Sequence, residues 1–151
     1  MRAKDEIDGR VARLLEAYGN GDDGSSPTEA AWRRLLERDP DQPVTLINYF
    51  KLRQDALYPP TAALGGSGRE AFDRYTAVSV PSMQSAGGEF LFVGPVEGGF
   101  MGAQVEWDIA AIGRYPTTDA LLSLFDIVAY RDCYTHRTAA CERQQVTICD
   151  G

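Results

Sequence analysis

Three cysteines, one histidine and two lysines are all that the 151 residues hold of those types, and each scarcity excludes something. Cys133, Cys141 and Cys149 are odd in number and crowded late in the chain, which does not suit a disulfide framework and agrees with reduced thiols. With His136 they make a nominal set of four soft ligands, but no C-x-x-C spacing is present, so no metal site is expected. Lys4 and Lys51 are the only lysines; the arginine bias hints at a GC-rich genome. No basic run exceeds Arg33-Arg34, and 22 acidic against 15 basic residues leave a net charge of −7, so nucleic acid is not an expected partner. No window approaches the roughly 20 uninterrupted apolar residues of a membrane span. The opening residues Met1 to Glu6 lead into an amphipathic stretch, and a cytoplasmic location is expected. Glycine and proline, 15 and 8, are too few for a low-complexity chain.

What is present is the composition of one ordinary globular domain, 44% hydrophobic and 25% charged. Ile7, Val11, Leu14, Leu15 and Tyr18 recur at helical spacing until Gly19-Asn20-Gly21 ends the pattern. Ser26-Pro27-Thr28-Glu29 reads as a capping box opening a second helix with Trp32, Leu35 and Leu36 on one face, stopped at Asp39-Pro40. Residues 1–42 are thus a helical extension.

From residue 43 to 151 the rhythm changes. Val44 to Leu52 reads as a strand. Ser67-Gly68-Arg69-Glu70 is a capping box for a helix carrying Phe72, Tyr75, Ser79 and Met83, which Pro81 should kink or shorten. Glu89 to Val93 and Gln104 to Tyr115 read as a hairpin across a glycine-rich turn. Pro116 to Asp119 begins a helix with Leu121, Leu122 and Phe125; a further helix holds Tyr130, Cys133, Tyr134 and Arg137, and Gln144 to Cys149 closes as a strand. The order β-α-β-β-α-β predicts an α+β, ferredoxin-like fold, whose sheet carries helices on one face. Leu46 and Phe50 oppose Ile47 and Tyr49, and Phe90 and Phe92 oppose Leu91 and Val93, so both faces are apolar. At about 25 cal/mol per Å² a wet face forfeits several kcal/mol, so either the extension or a second copy should cover it. Sheet-on-sheet pairing in a homodimer is the expected answer.

Pro43 to Tyr49, Ser67 to Tyr75, Gly87-Gly88-Glu89, Glu106-Trp107-Asp108, Arg114-Tyr115-Pro116 and His136 to Ala140 together resemble the domain of unknown function 1330 (DUF1330) family over about residues 43–150. That family is similar to the dimeric α/β-barrel superfamily, in which two ferredoxin-like sheets face each other and enclose a pocket. The resemblance implies a pocket without choosing a chemistry, because relatives include cofactor-free monooxygenases, isomerases, cyclases and haem-binding proteins. The sequence departs from the family at Tyr49-Phe50-Lys51 and in its N-terminal extension.

His136 is the one side chain that titrates near neutrality and is the leading acid/base candidate; the alternative is a backbone or helix-dipole role. Asp108 is the second catalytic candidate, against a structural ion pair with Arg114 or Arg137. Asn48, set among apolar neighbours, and Arg137 are expected to hold a carbonyl or carboxylate, and Arg114 is a further ligand candidate. Trp107, Tyr49, Phe50 and Phe92 read as pocket walls or as plain core. The expectation is a cofactor-free isomerase, cyclase or monooxygenase-like enzyme for a small hydrophobic or carbonyl-containing molecule. The alternatives are a non-catalytic homodimer that binds a hydrophobic ligand or partner, and haem binding through His136.

Overall fold

A computed structural model describes residues 2–151 as an α+β arrangement of five α-helices and one four-stranded antiparallel sheet. The elements run α1 (Lys4–Tyr18), α2 (Glu29–Leu36), β1 (Val44–Leu52), α3 (Gly68–Ser85), β2 (Glu89–Pro95), β3 (Ile109–Tyr115), α4 (Thr118–Leu124), α5 (Val128–Ala140) and β4 (Cys141–Asp150). Among the described residues no helix is long and apolar enough to cross a membrane.

The strands lie in the order β2-β3-β1-β4, each antiparallel to its neighbours. Register fixes the faces. Leu46 pairs with Gly113 and Ile148, Asn48 with Ala111 and Val146, and Phe50 with Ile109 and Gln144, so these side chains share the face beneath the helices. Ile47, paired with Ile112 and Thr147, and Tyr49, paired with Ala110 and Gln145, share the other. In β3 strict alternation follows: Ile109, Ala111, Gly113 and Tyr115 are buried and the residues between them are half-buried.

Helices α3 and α5 pack side by side over the first face. Ser67 caps α3 in the expected capping box, its hydroxyl accepting from the Glu70 N–H while the Glu70 carboxylate accepts from the Ser67 N–H. Gly68 begins that helix so close to the Arg53 backbone that an added Cβ would stand 2.0 Å from the Arg53 carbonyl oxygen. Only glycine fits there.

Four details correct the sequence reading and a fifth decides between its alternatives. Pro81 does not shorten α3, which runs through it to Ser85. Pro81 is exposed, so the Ala77 carbonyl that loses its N–H partner faces solvent, where water can serve it. Helix α2 starts at Glu29, not Pro27: Thr28 is the cap and accepts from the Ala31 N–H, and alanine at that third position precludes a capping box. Strand β3 begins at Ile109 rather than Gln104, because residues 96–108 form a long connection in which the Asp108 carboxylate accepts from the Leu52 N–H at 2.7 Å. Strand β4 begins at Cys141, directly where α5 ends. The extension, finally, does not cover the second sheet face. It packs around α4 and the start of α5, where Trp32 and Tyr18 meet Phe125 edge-on at 4.9 and 5.5 Å and the Tyr18 hydroxyl donates to the Phe125 carbonyl.

Candidate functional site

Between the helix layer and the first sheet face lies a cavity of about 970 Å³. Its floor is Leu46, Asn48, Phe50 and Ala111, its roof Phe72, Tyr75, Ser79 and Met83 of α3 with Tyr130, Tyr134 and Arg137 of α5, and α2 with the loop before it supplies one end through Thr28, Ala31, Trp32 and Leu35. Aliphatic and aromatic side chains predominate, as in small-molecule sites.

One charge sits deep in it. Tyr130, Cys133, Tyr134, Arg137 and Ala140 fall on one stripe of α5, so the helical period that buries the tyrosines also buries the guanidinium, which is 7% exposed. Arg137 Nε donates to Gln144 Oε1 at 2.7 Å and Nη1 to the Tyr75 hydroxyl at 3.0 Å. The guanidinium carbon lies 4.9 Å from the Phe50 ring centre, and 5.5 and 5.7 Å from those of Tyr75 and Tyr134. Arg137 takes part in no ion pair among the described residues. The charge is held by π faces and neutral oxygens alone.

The Tyr75 and Tyr130 hydroxyls are 2.8 Å apart. Two hydroxyls bring two protons, and one hydrogen bond between them uses one. Tyr75 already accepts from Arg137, so whichever phenol donates to the other, one O–H is left to a bound molecule. Burial raises Tyr130 well above the ordinary phenol value and pushes Tyr134 up to about 12, so both stay protonated at neutral pH. Asn48 completes the polar set. Its Nδ2 donates to the Ala111 carbonyl, and Oδ1 accepts no hydrogen bond from the described residues.

Of the residues singled out from the sequence, the cavity gathers Arg137, Asn48, Phe50 and Asp108. His136, Trp107, Tyr49, Phe92 and Arg114 are not among its walls. His136 follows the buried stripe of α5 by the wrong angle, and its Nδ1 lies 2.7 Å from the Tyr58 hydroxyl on the outer side. Arg74 Nη1 donates to the same Tyr58 oxygen, which joins both side chains, while the direction of its bond to Nδ1 follows the His136 tautomer. Burial first, and the Arg74 charge second, hold His136 below its ordinary pKa. A group seated in the cavity cannot take His136 as its axial ligand. Asp108 is engaged by the Leu52 N–H and by Lys51 at 3.5 Å, neither of the arginine partners expected for it. Tyr49 stacks on Trp107 with centroids 5.6 Å apart, and Trp107 lies under the Arg143 guanidinium beside a second cavity of about 480 Å³ in the 96–108 connection. Phe92 pairs with Ile112 on the second sheet face, 50% exposed, and Arg114 pairs with Thr45 and Glu89 on that same face.

Tyr75, Tyr130, Tyr134 and Gln144 were not among the site residues expected from the sequence, where they figured only as helix and strand positions. The signal for the tyrosines was present: a phenol on a buried helical stripe must find a polar partner. No group of three or more histidine, cysteine, aspartate or glutamate side chains that could hold a metal ion occurs among the described residues.

No protein-family model and no curated protein matches the chain. Among solved structures it is similar to RPA0582, a protein of unknown function from Rhodopseudomonas palustris, at 28% identity and a TM-score of 0.76, over 83% of this chain and 95% of that one. A crystal structure of the methylated RPA0582 protein is similar at the same identity with a TM-score of 0.77, over 83% of this chain and 93% of that one.

Proposed function

We propose that the chain is a small-molecule enzyme of the dimeric α/β-barrel type, allied to the DUF1330 family, acting in the cytoplasm without metal or organic cofactor. Its chemistry is proton transfer on a carbonyl-containing substrate, as in an isomerase, a cyclase or a monooxygenase-like enzyme. Residues 43–151 are the ferredoxin-like unit and 1–42 the helical extension that walls one end of its cavity. The strand order and the uncovered apolar face of Ile47, Ile112 and Phe92 support the pairing of two such sheets.

The observation that carries the reading is the buried Arg137 beside the Tyr75–Tyr130 pair in a largely apolar cavity. When a base from solvent or buffer takes a proton from the carbon next to a carbonyl, negative charge develops on oxygen. A fixed guanidinium and an O–H in a largely apolar site stabilise that oxygen more than the neutral carbonyl before it. The spare phenol proton replaces His136 as the proton donor. The test is exchange of the benzylic protons of phenylpyruvate for deuterium, followed by NMR in D2O. The protein should accelerate exchange over buffer, and Tyr75→Phe should lose about 10²-fold or more of that acceleration. No acceleration from the folded protein would discard the enzymatic reading.

One observation favours a non-catalytic binding protein instead. The carboxylates at the cavity, Asp73 and Asp108, are paired with Arg69 and with Lys51 and the Leu52 N–H, so no unpaired carboxylate faces it among the described residues. Retention of a molecule without exchange would select that alternative.

A further inference from the structure

Resting on the reading of the cavity as a small-molecule site, we propose that its ligand is an aromatic monocarboxylate, held at the carboxylate by Arg137 and the Tyr75–Tyr130 pair. A guanidinium has five N–H donors, and here Gln144 takes the one on Nε and Tyr75 one on Nη1. Among the described residues no partner takes the second Nη1 hydrogen or either one on Nη2, and these are the donors that the proposal gives to the carboxylate. Gln144 on one side and the rings of Phe50 and Tyr75 on the others fix the plane in which that carboxylate must lie. The unpaired O–H of the tyrosine pair adds a donor beside it.

Charge counting sets the class. Among the described residues Arg137 is the one deeply buried cation lining the cavity and makes no ion pair, while Asp73 and Asp108 are paired with Arg69 and Lys51, so one negative charge neutralises it and a phosphate dianion would leave an excess in apolar surroundings. π faces reduce the cost of the buried guanidinium but do not cancel its charge. The remaining walls, Phe50, Phe72, Leu46 and Met83 among them, offer rings and aliphatic surface, which suits an aromatic body behind the carboxylate.

The test is calorimetric titration of the full chain with 2-naphthoate and, separately, with neutral 2-naphthamide at about pH 7. Naphthoate should bind at least about tenfold more tightly than the amide, the margin of one charge-assisted contact. In Arg137→Gln the preference should fall to about twofold or less while the amide still binds, and Tyr75→Phe, which keeps the ring, should lose part of it. Equal affinity for the two probes in the parent protein would overturn the carboxylate assignment and leave the small-molecule site standing. A preference retained in Arg137→Gln would place the anion elsewhere and equally overturn it. Binding of neither probe would remove the site together with its ligand. Should Arg137→Gln not fold, the parent's two affinities and Tyr75→Phe decide.

Discussion

Arg137 and His136 are neighbours in sequence and about 100° apart around α5, and that rotation separates their roles. Arg137 joins the buried stripe, whereas His136 turns to the outer side and ties the 53–67 loop to α5 through Tyr58, with Arg74 of α3 closing the triangle. His136 carries a pH consequence. Its folded pKa lies below the unfolded value, so the unfolded chain binds the proton more readily. The stability it lends is complete above the ordinary histidine pKa of about 6.5 and is lost as pH falls from there toward the folded value. Denaturant midpoints taken at about pH 7.5 and pH 5 should drop less in His136→Gln, whose amide can still hydrogen-bond the Tyr58 hydroxyl, than in the parent. An equal drop in both would assign the acid sensitivity to other groups. Arg137 was legible in the sequence because it interrupts a run of buried positions. The removal of His136 from the cavity was not, since helical phase depends on where α5 begins, and no cap marks that start.

At the scale of elements, α2 contributes more than its two turns suggest. Trp32 is 1% exposed, lies edge-on to Phe125 and forms part of the cavity's end wall. Trp32→Ala should cost about 3–5 kcal/mol in denaturant unfolding, the range for deleting a buried ring, and should loosen α1 as well because Tyr18 packs on the same side chain. A loss under about 1 kcal/mol would mean that the extension contributes little to the fold. The element types could be read from hydrophobic period and capping residues, but their limits could not. Alternation at Val105 and Trp107 continues the pattern of β3, yet Val105 is exposed and Trp107 leaves the ladder to stack on Tyr49, a tertiary preference that periodicity does not contain. Pro81 illustrates the converse. Local rules end a helix at proline, but packing of Ser79, Ser82 and Met83 on its buried side holds α3 together past it.

For the whole molecule, the decisive surface is the second sheet face, where Ile47, Ile112 and Phe92 lie in register across three strands. A second copy placed there would bury about 800 Å² per partner in a stable dimer. Ile112→Asp, in the middle of that row, should convert the proposed dimer to a monomer in light scattering while leaving the unfolding free energy of the protomer within about 1 kcal/mol. A parent protein that scatters as a monomer at every concentration would remove the dimer from the proposal. The apolar character of this face was visible in the strand parity; which part of the chain leaves it uncovered was not, because the docking of the extension depends on Phe125 and Tyr134, distant in sequence. The two tryptophans happen to divide the molecule between them: Trp32 is sealed inside the helical end, and Trp107 stands half-exposed beside the sheet, stacked on Tyr49. Each is therefore a built-in optical reporter. Trp107→Phe leaves an emission that follows the seating of the extension, and Trp32→Phe one that follows events beside the bare sheet, so each variant reports one end of the molecule without any added dye.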